Sequence, residues 1–244
     1  MTENSKATTD ALIKALEDKD RDVRLSATKA LSNHKDSKAT DALIKALKGK
    51  NLHVRWYAAV ALGKHKDSKA TDALIKAALK DEDPNVRLSA IEALGTHTDS
   101  KATTDALIKA LKDKDADVRR YAVIALGNHK DSKVTDALIK ALEDKDAGIR
   151  VSAAVALGNH KDSKAATDAL IKALKDKDAD VRWYATIALG NHADSKAATD
   201  ALIEALDDKD EEVRRYAAEA LSNHADSKAA YMGAYGAFKK GETK

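Results

Sequence analysis

A segment reading DALIKAL, or a near copy of it, begins at Asp10, Asp41, Asp72, Asp105, Asp136, Asp168 and Asp200. Each time a second segment of the form [VI]R..A..AL..H follows, ending at His34, His65, His97, His129, His160, His192 and His224. The histidines therefore recur every 31 or 32 residues. A fixed period of this length is the signature of one supersecondary unit stacked many times, and it constrains the fold more than any other feature of the chain. The units fall at about 4–35, 36–66, 67–98, 99–130, 131–161, 162–193 and 194–225, with a capping half unit at 226–244. No composition shift or linker interrupts residues 1–225, so the expectation is a single array over 1–244.

Each unit reads as two short helices. The first, helix A, covers SKATDALIKAL, with its Leu and Ile facing inward and the preceding Asp-Ser able to cap its N-terminus. The second, helix B, runs from the [VI]R pair to a Gly/Ser-Asn-His end, where glycine suits a helix stop. Between them lies a charged linker such as KDKDAD, itself rich in capping residues. Composition agrees, with a single proline and only 4% aromatic residues against 34% charged ones, which favours helix over sheet. Pro84 in DEDPNVR fits the first turn of a helix B. Neither helix can bury its apolar face alone, so the expected fold is an all-α solenoid of seven two-helix repeats plus a C-terminal half repeat. In that half repeat, Ala234, Tyr235 and Phe238 take the places of Leu, Ile and Leu, and Tyr231, Tyr235 and Phe238 follow helical spacing to close the core.

The pattern D.....[VI]R..A..AL resembles HEAT repeats, and the short unit is similar to the phycobilisome-lyase HEAT-like subclass and to the artificial alphaRep proteins built from it. The resemblance covers nearly the whole chain. It implies a hydrogen-bonded ladder between units, made from the linker Asp and the helix-B Arg: Asp18/Arg24, Asp81/Arg87, Asp113/Arg119, Asp144/Arg150, Asp176/Arg182 and Asp208/Arg214. The second unit departs, with Gly49 standing opposite Arg55 in LKGKNLHVR, so the ladder is expected to weaken there. The close match between units fits either a designed scaffold or recent duplication.

Along helix B the core positions barely change, whereas the outward ones do. At about 100° per residue, three rows lie at about 140°, 200° and 240° from the core-facing valine. The row at about 200° holds Leu25, Trp56, Leu88, Arg120, Val151, Trp183 and Arg215. The row at about 140° holds Thr28, Ala59, Ile91, Val123, Ala154, Thr186 and Ala218, and that at about 240° Lys29, Val60, Glu92, Ile124, Val155, Ile187 and Glu219. Units two to six thus carry an apolar strip, interrupted by Glu92 and Arg120, of roughly 450 Å², a size that marks an interaction site. The expected partner-binding residues are Trp56, Val60, Leu88, Ile91, Arg120, Val123, Ile124, Val151, Val155, Trp183 and Ile187, with the tryptophans as anchors. The resemblance implies that helix B lines a concave groove. The alternative is that curvature crowds the strip upon itself, for which the flanking series Ser26, Tyr57, Ser89, Tyr121, Ser152, Tyr184 and Tyr216 offers large residues beside small ones.

Other chemistries find little support. Two ligands of one zinc ion lie within about 3–4 Å of each other, whereas equivalent histidines of stacked units lie about 10 Å apart, so no metal site is expected and each histidine plugs a turn. The HEAT-like deoxyhypusine hydroxylases hold iron with His-Glu pairs, and no histidine here precedes a glutamate. There is no G-x-S-x-G, no P-loop and no cysteine, hence no expected catalytic residue and no cofactor. Lys29, Arg120 and Arg215 are too few cations for a phosphate track, and net charge is only +3, so no nucleic-acid partner is expected. The opening MTENSKATTDALIK has no signal segment, and no run approaches a membrane span, so no membrane partner and a cytoplasmic location are expected. The sequence therefore reads as a non-catalytic scaffold binding a protein or peptide through helix B. The alternatives are a homo-oligomer formed through the same face, or a bilin-lyase-type subunit holding a pigment there.

Overall fold

The computed structural model describes residues 3–34, 36–98, 100–129, 131–192 and 195–222. His224, Tyr231, Tyr235, Phe238 and the whole capping half unit lie outside the described residues. Among the described residues every regular element is a helix, and the chain divides into two compact units, Met1–Leu126 and Gly127–Lys244.

The first unit contains four helix pairs: α1 (Glu3–Ala15) with α2 (Arg21–Leu31), α3 (Ser37–Leu47) with α4 (Leu52–Leu62), α5 (Ser68–Lys80) with α6 (Pro84–Leu94), and α7 (Lys101–Ala110) with α8 (Ala116–Leu126). The described part of the second contains three: α9 (Ser132–Ala141) with α10 (Ala147–Leu157), α11 (Lys164–Ala173) with α12 (Ala179–Gly190), and α13 (Lys196–Ala205) with α14 (Glu211–Ser222). Within each unit the pairs stack as in an α-solenoid, and successive B helices pack more closely than successive A helices. The B layer is therefore the inner, shorter side of the stack in each unit.

The helices begin where the capping chemistry allows. Asp36, Asp67 and Asp131 accept backbone N–H bonds at the starts of α3, α5 and α9, and Ser100, Ser163 and Ser195 do so for α7, α11 and α13. Pro84 occupies the first turn of α6. The core is a stripe of fully buried Leu and Val, such as Leu43, Leu62, Leu74, Val86 and Leu94 in the first unit and Leu138, Leu157, Leu170, Val181 and Leu189 in the second. The glycines that end helix B serve a different purpose from the one the sequence suggests. Gly63, Gly95 and Gly158 keep right-handed helical dihedrals, and no described residue has a positive φ. A Cβ on Gly63 would lie 2.8 Å from the Ala93 Cβ, and one on Gly158 would lie 3.2 Å from that of Ala188. Glycine is there because the next B helix presses against it.

Threonine–histidine bonds tie helix A to the end of helix B in the same repeat. The pairs Thr40–His65, Thr71–His97 and Thr167–His192 approach to 2.9, 3.0 and 2.8 Å through Nδ1. His97 Nε2 faces the Gly63 carbonyl and His192 Nε2 the Leu157 carbonyl, each at 3.3 Å, so these rings serve as the turn plugs the sequence implies.

The arginine ladder runs forward by one repeat. Arg55 donates from Nε and Nη2 to Asp81 at 3.0 and 3.1 Å, and Arg87 pairs likewise with Asp113 at 2.8 and 2.9 Å. In the second unit Arg150 holds Asp176 and Arg182 holds Asp208 in the same two-pronged geometry. Each arginine also donates from Nη1 to two carbonyls of its own linker, as Arg87 does to Asp81 and Glu82. Burial works to raise the Asp208 carboxyl, but the Arg182 guanidinium and the Asp210 N–H outweigh it and hold the group below its usual range. Asp176 is held low in the same way by Arg150 and the Asp178 N–H. The gap left by Gly49 therefore does not fall on Arg55, which has Asp81 and also Glu82 at 3.2 Å. It falls on Arg24, whose forward partner would be residue 49. The expectation that Arg55 loses its rung is corrected by one repeat.

Candidate binding face

In the first unit the outward side of the B layer is built by α2, α4, α6 and α8. Val60 and Ile124 stand 44% and 50% exposed, while Trp56 and Leu88 are half-buried. Arg120 is exposed, donates to Asp117 at 3.1 Å and lies 5.5 Å from the centre of the Tyr121 ring. Its charge is therefore met on its own helix. Ile91 and Val123, expected on this surface, are both 0% exposed. Their row, at about 140° on the wheel, faces the neighbouring B helix instead of solvent. The same row buries Thr28 and Ala59 completely. Tight B-to-B packing takes this side of each helix and turns the open face toward the rows at about 200°, 240° and 300°.

The second unit repeats the arrangement on α10, α12 and α14. Val155 is 48% exposed, and Val151 and Ile187 are half-buried, whereas Ala154 and Thr186 of the inward row are fully buried. Trp183 is less available than its place on the wheel implies. Its ring lies 5.2 Å from that of Tyr216 on the next B helix and 4.8 Å from that of Tyr184. It packs on the buried cluster of Val213, Ala217 and Ala205, and its indole Nε1 is buried without a hydrogen-bond partner. Here the crowding alternative holds, with the tryptophan leaning on the following repeat. Trp56 differs, because the corresponding position of the next repeat is Ser89, and its ring contact is with its neighbour Tyr57 at 4.6 Å.

The open face also includes the half-buried Tyr57 and Tyr121 of the first unit and Tyr184 and Tyr216 of the second, which were not among the expected binding residues. The signal for them was the Ser/Tyr series beside the strip. Cations at the far edge are neutralised locally, as Arg215 is by Glu212, above the Tyr216 ring at 4.6 Å. What the face offers chemically is hydrocarbon and aromatic surface with little net charge. Among the described residues no group of three or more His, Asp or Glu side chains is placed to hold a metal ion, and no helix is long and apolar enough to cross a membrane.

The family described as HEAT repeats matches residues 9–95, 104–168 and 167–232, and the PBS lyase HEAT-like repeat matches residues 86–113. No curated protein matches the chain. Among solved structures, the Escherichia coli protein YibA is similar at 24% identity, with a TM-score of 0.63, over 90% of this chain and 84% of that one. An engineered protein is similar at 26% identity and a TM-score of 0.56, over 90% and 70% of the respective chains. The complex of CpcE and CpcF of phycocyanin lyase from Nostoc is similar at 25% identity and a TM-score of 0.54, over 92% of both.

Proposed function

Because the chain belongs to the HEAT-repeat family, we propose that it is a non-catalytic, cytoplasmic scaffold that binds a protein or peptide through the open faces of its B helices. One observation carries this reading. Val60, Ile124 and Val155 occupy the same position of three repeats, and each stands about half exposed where a solvated helix would carry charge. Burying what they expose is worth about 1 kcal/mol each, with the tyrosines and Trp56 beside them as further contact area. The end repeats place Lys29 and Glu219 at this position and the third repeat places Glu92 there, so the apolar character belongs to the inner repeats and is interrupted once among them.

The test is a selection of displayed random peptides on the wild type, with a Val60→Glu, Ile124→Glu, Val155→Glu variant as the comparison. Enriched peptides with apolar anchors that bind the wild type and lose the variant support the proposal. A selection that enriches nothing, or peptides that bind both proteins equally, contradict it. Sedimentation of the wild type over a wide concentration range separates a peptide-binding face from self-association through the same residues. A second reading, a lyase subunit whose face holds an apolar pigment, draws on the likeness to the CpcE–CpcF complex. It requires visible-absorbance changes when an open-chain tetrapyrrole is added, which a peptide-binding face does not.

A further inference from the structure

The Gly49 gap has a built environment. Arg24 keeps the pose of the other ladder arginines, donating from Nη1 to the carbonyls of Asp18 and Lys19 at 2.7 and 2.9 Å. Its Nε and Nη2 are therefore held toward the second linker, where the other ladder arginines meet an aspartate and Arg24 meets a glycine. In those other linkers the aspartate also accepts the N–H two residues on, as Asp81 does from Asp83 at 3.0 Å and Asp113 from Asp115 at 2.9 Å. The equivalent donor in the second linker is the Asn51 N–H. Three N–H groups thus converge on a place where this chain, in four other rungs, puts a carboxylate.

A cavity of about 340 Å³ opens on the same place, bordered by Arg24, Gly49 and Asn51. Its walls include Ile13, Leu16, Ala42, Ala46 and Val54. Glu17 also lines it, but its carboxylate is engaged by Lys45 at 2.7 Å, and that contact holds it below its usual range. Lys50 adds a further positive charge to the lining. The volume lies within the range of small-ligand pockets, and the combination is one polar end with a mostly hydrocarbon body.

We propose that this pocket binds a small organic monocarboxylate, its carboxylate replacing the absent aspartate of the ladder and its apolar body lying against Leu16, Ala46 and Val54. Two parallel N–H···O bonds from the guanidinium fix the carboxylate, as in the other rungs, and the Asn51 N–H supplies the third. An alcohol of the same shape accepts too few of these bonds to compete, and a carboxylate without an apolar body leaves the cavity walls wet.

The probe is 3-phenylpropanoate, titrated while the Asn51 backbone N–H and the Arg24 Nε–H are followed by NMR. The expected result is saturable shifts of both signals, with binding at least about tenfold weaker for 3-phenylpropanol and for acetate, a factor equal to about 1.4 kcal/mol. Gly49→Asp puts the protein's own carboxylate on Arg24 and is expected to weaken binding at least as much. Gly49→Ala, which adds bulk without charge, is expected to retain it, and Arg24→Met to abolish it. Absence of saturable shifts, equal binding of acid and alcohol, or equal binding by wild type and Gly49→Asp each overturns the proposal. The melting curve of each variant shows that it is folded. Should Gly49→Asp fail to fold, Arg24→Met decides in its place, and undiminished binding by that variant overturns the proposal.

Discussion

Replacing Gly49 by Asp should repair the ladder and strengthen the junction between the first two repeats. Gly49 has no positive φ, so an L-residue meets no backbone strain there. An added Cβ would lie 3.1 Å from the Ala46 carbonyl oxygen, a tight contact that requires a shift of a few tenths of an ångström. Arg24 is already oriented by two carbonyls, so little side-chain entropy remains to be lost when the carboxylate arrives. Hydrogen bonds to charged groups are worth about 1.5–3 kcal/mol, but Arg24 is only half-buried and the new carboxylate must shed part of its hydration. The net expectation is about 1–2 kcal/mol. The gain from removing a glycine, about 0.4–1 kcal/mol through the unfolded chain, is common to Gly49→Ala, so the difference between the two variants isolates the carboxylate. Repeat stacks open locally, and native-state amide exchange is therefore the proper assay. Protection in α1 and α2 should rise by roughly tenfold in Gly49→Asp over Gly49→Ala. Equal protection in the two variants would refute the idea that Arg24 lacks a rung.

Four further outcomes follow from the same geometry. Trp183→Ala should lower the denaturation midpoint, costing about 1–2 kcal/mol through its contacts with Tyr216 and Val213, while Trp56→Ala should cost under about 1 kcal/mol; equal costs would contradict the difference in their surroundings. Gly63→Ala should destabilise by about 1–2 kcal/mol despite alanine's better helix propensity, because its Cβ would lie 2.8 Å from that of Ala93, and thermal melts showing a gain would refute the close-packing role. Asp208 titrates below its usual range in the fold, so its contribution is complete above the unfolded value of about 4 and is lost as pH falls through the folded value. The stability gap between wild type and Asp208→Asn should accordingly stay constant from pH 7 to about 4.5 and close below that, and a gap that closes between pH 7 and 5 would be inconsistent with it. Val60→Glu, Ile124→Glu and Val155→Glu together should leave helicity and the melting curve within about 0.5 kcal/mol of wild type, since all three side chains point to solvent, and a larger loss would place them in the core.

The repeat and its two helices were legible because a stacked unit repeats its core pattern, and that pattern carries the burial of Leu, Val and Ala directly. The caps were legible for the same reason, since an Asp-Ser pair recurs at the start of helix A in every copy after the first. The open face was legible only in part. A helical wheel knows one core direction, but a B helix in a stack has a helix A beneath it and B helices beside it. Ile91 and Val123 were lost to one of those lateral contacts, and Trp183 was drawn toward Tyr216 by the size of the side chain in the next repeat. The direction of the ladder was hidden too. Every ladder Arg except Arg55 lies six residues after an Asp in its own repeat, which invites pairing within the repeat, whereas at Arg55, Arg87, Arg150 and Arg182 the guanidinium reaches the local carbonyls with one nitrogen and the next repeat's carboxylate with the other two. Only the positions of the neighbouring linkers reveal that Gly49 deprives Arg24 rather than Arg55.

The most direct test of the binding-face account is site-specific photo-crosslinking with a peptide selected on the wild type. A benzophenone side chain is placed in turn at Val60 on α4, at Val155 on α10 and at the exposed Lys172 on α11, and the crosslinked products are mapped by mass spectrometry. The account requires crosslinks to the peptide from Val60 or Val155 and none from Lys172. Crosslinks from Lys172 with none from either B-helix position would place the partner on the other side of the stack and contradict it.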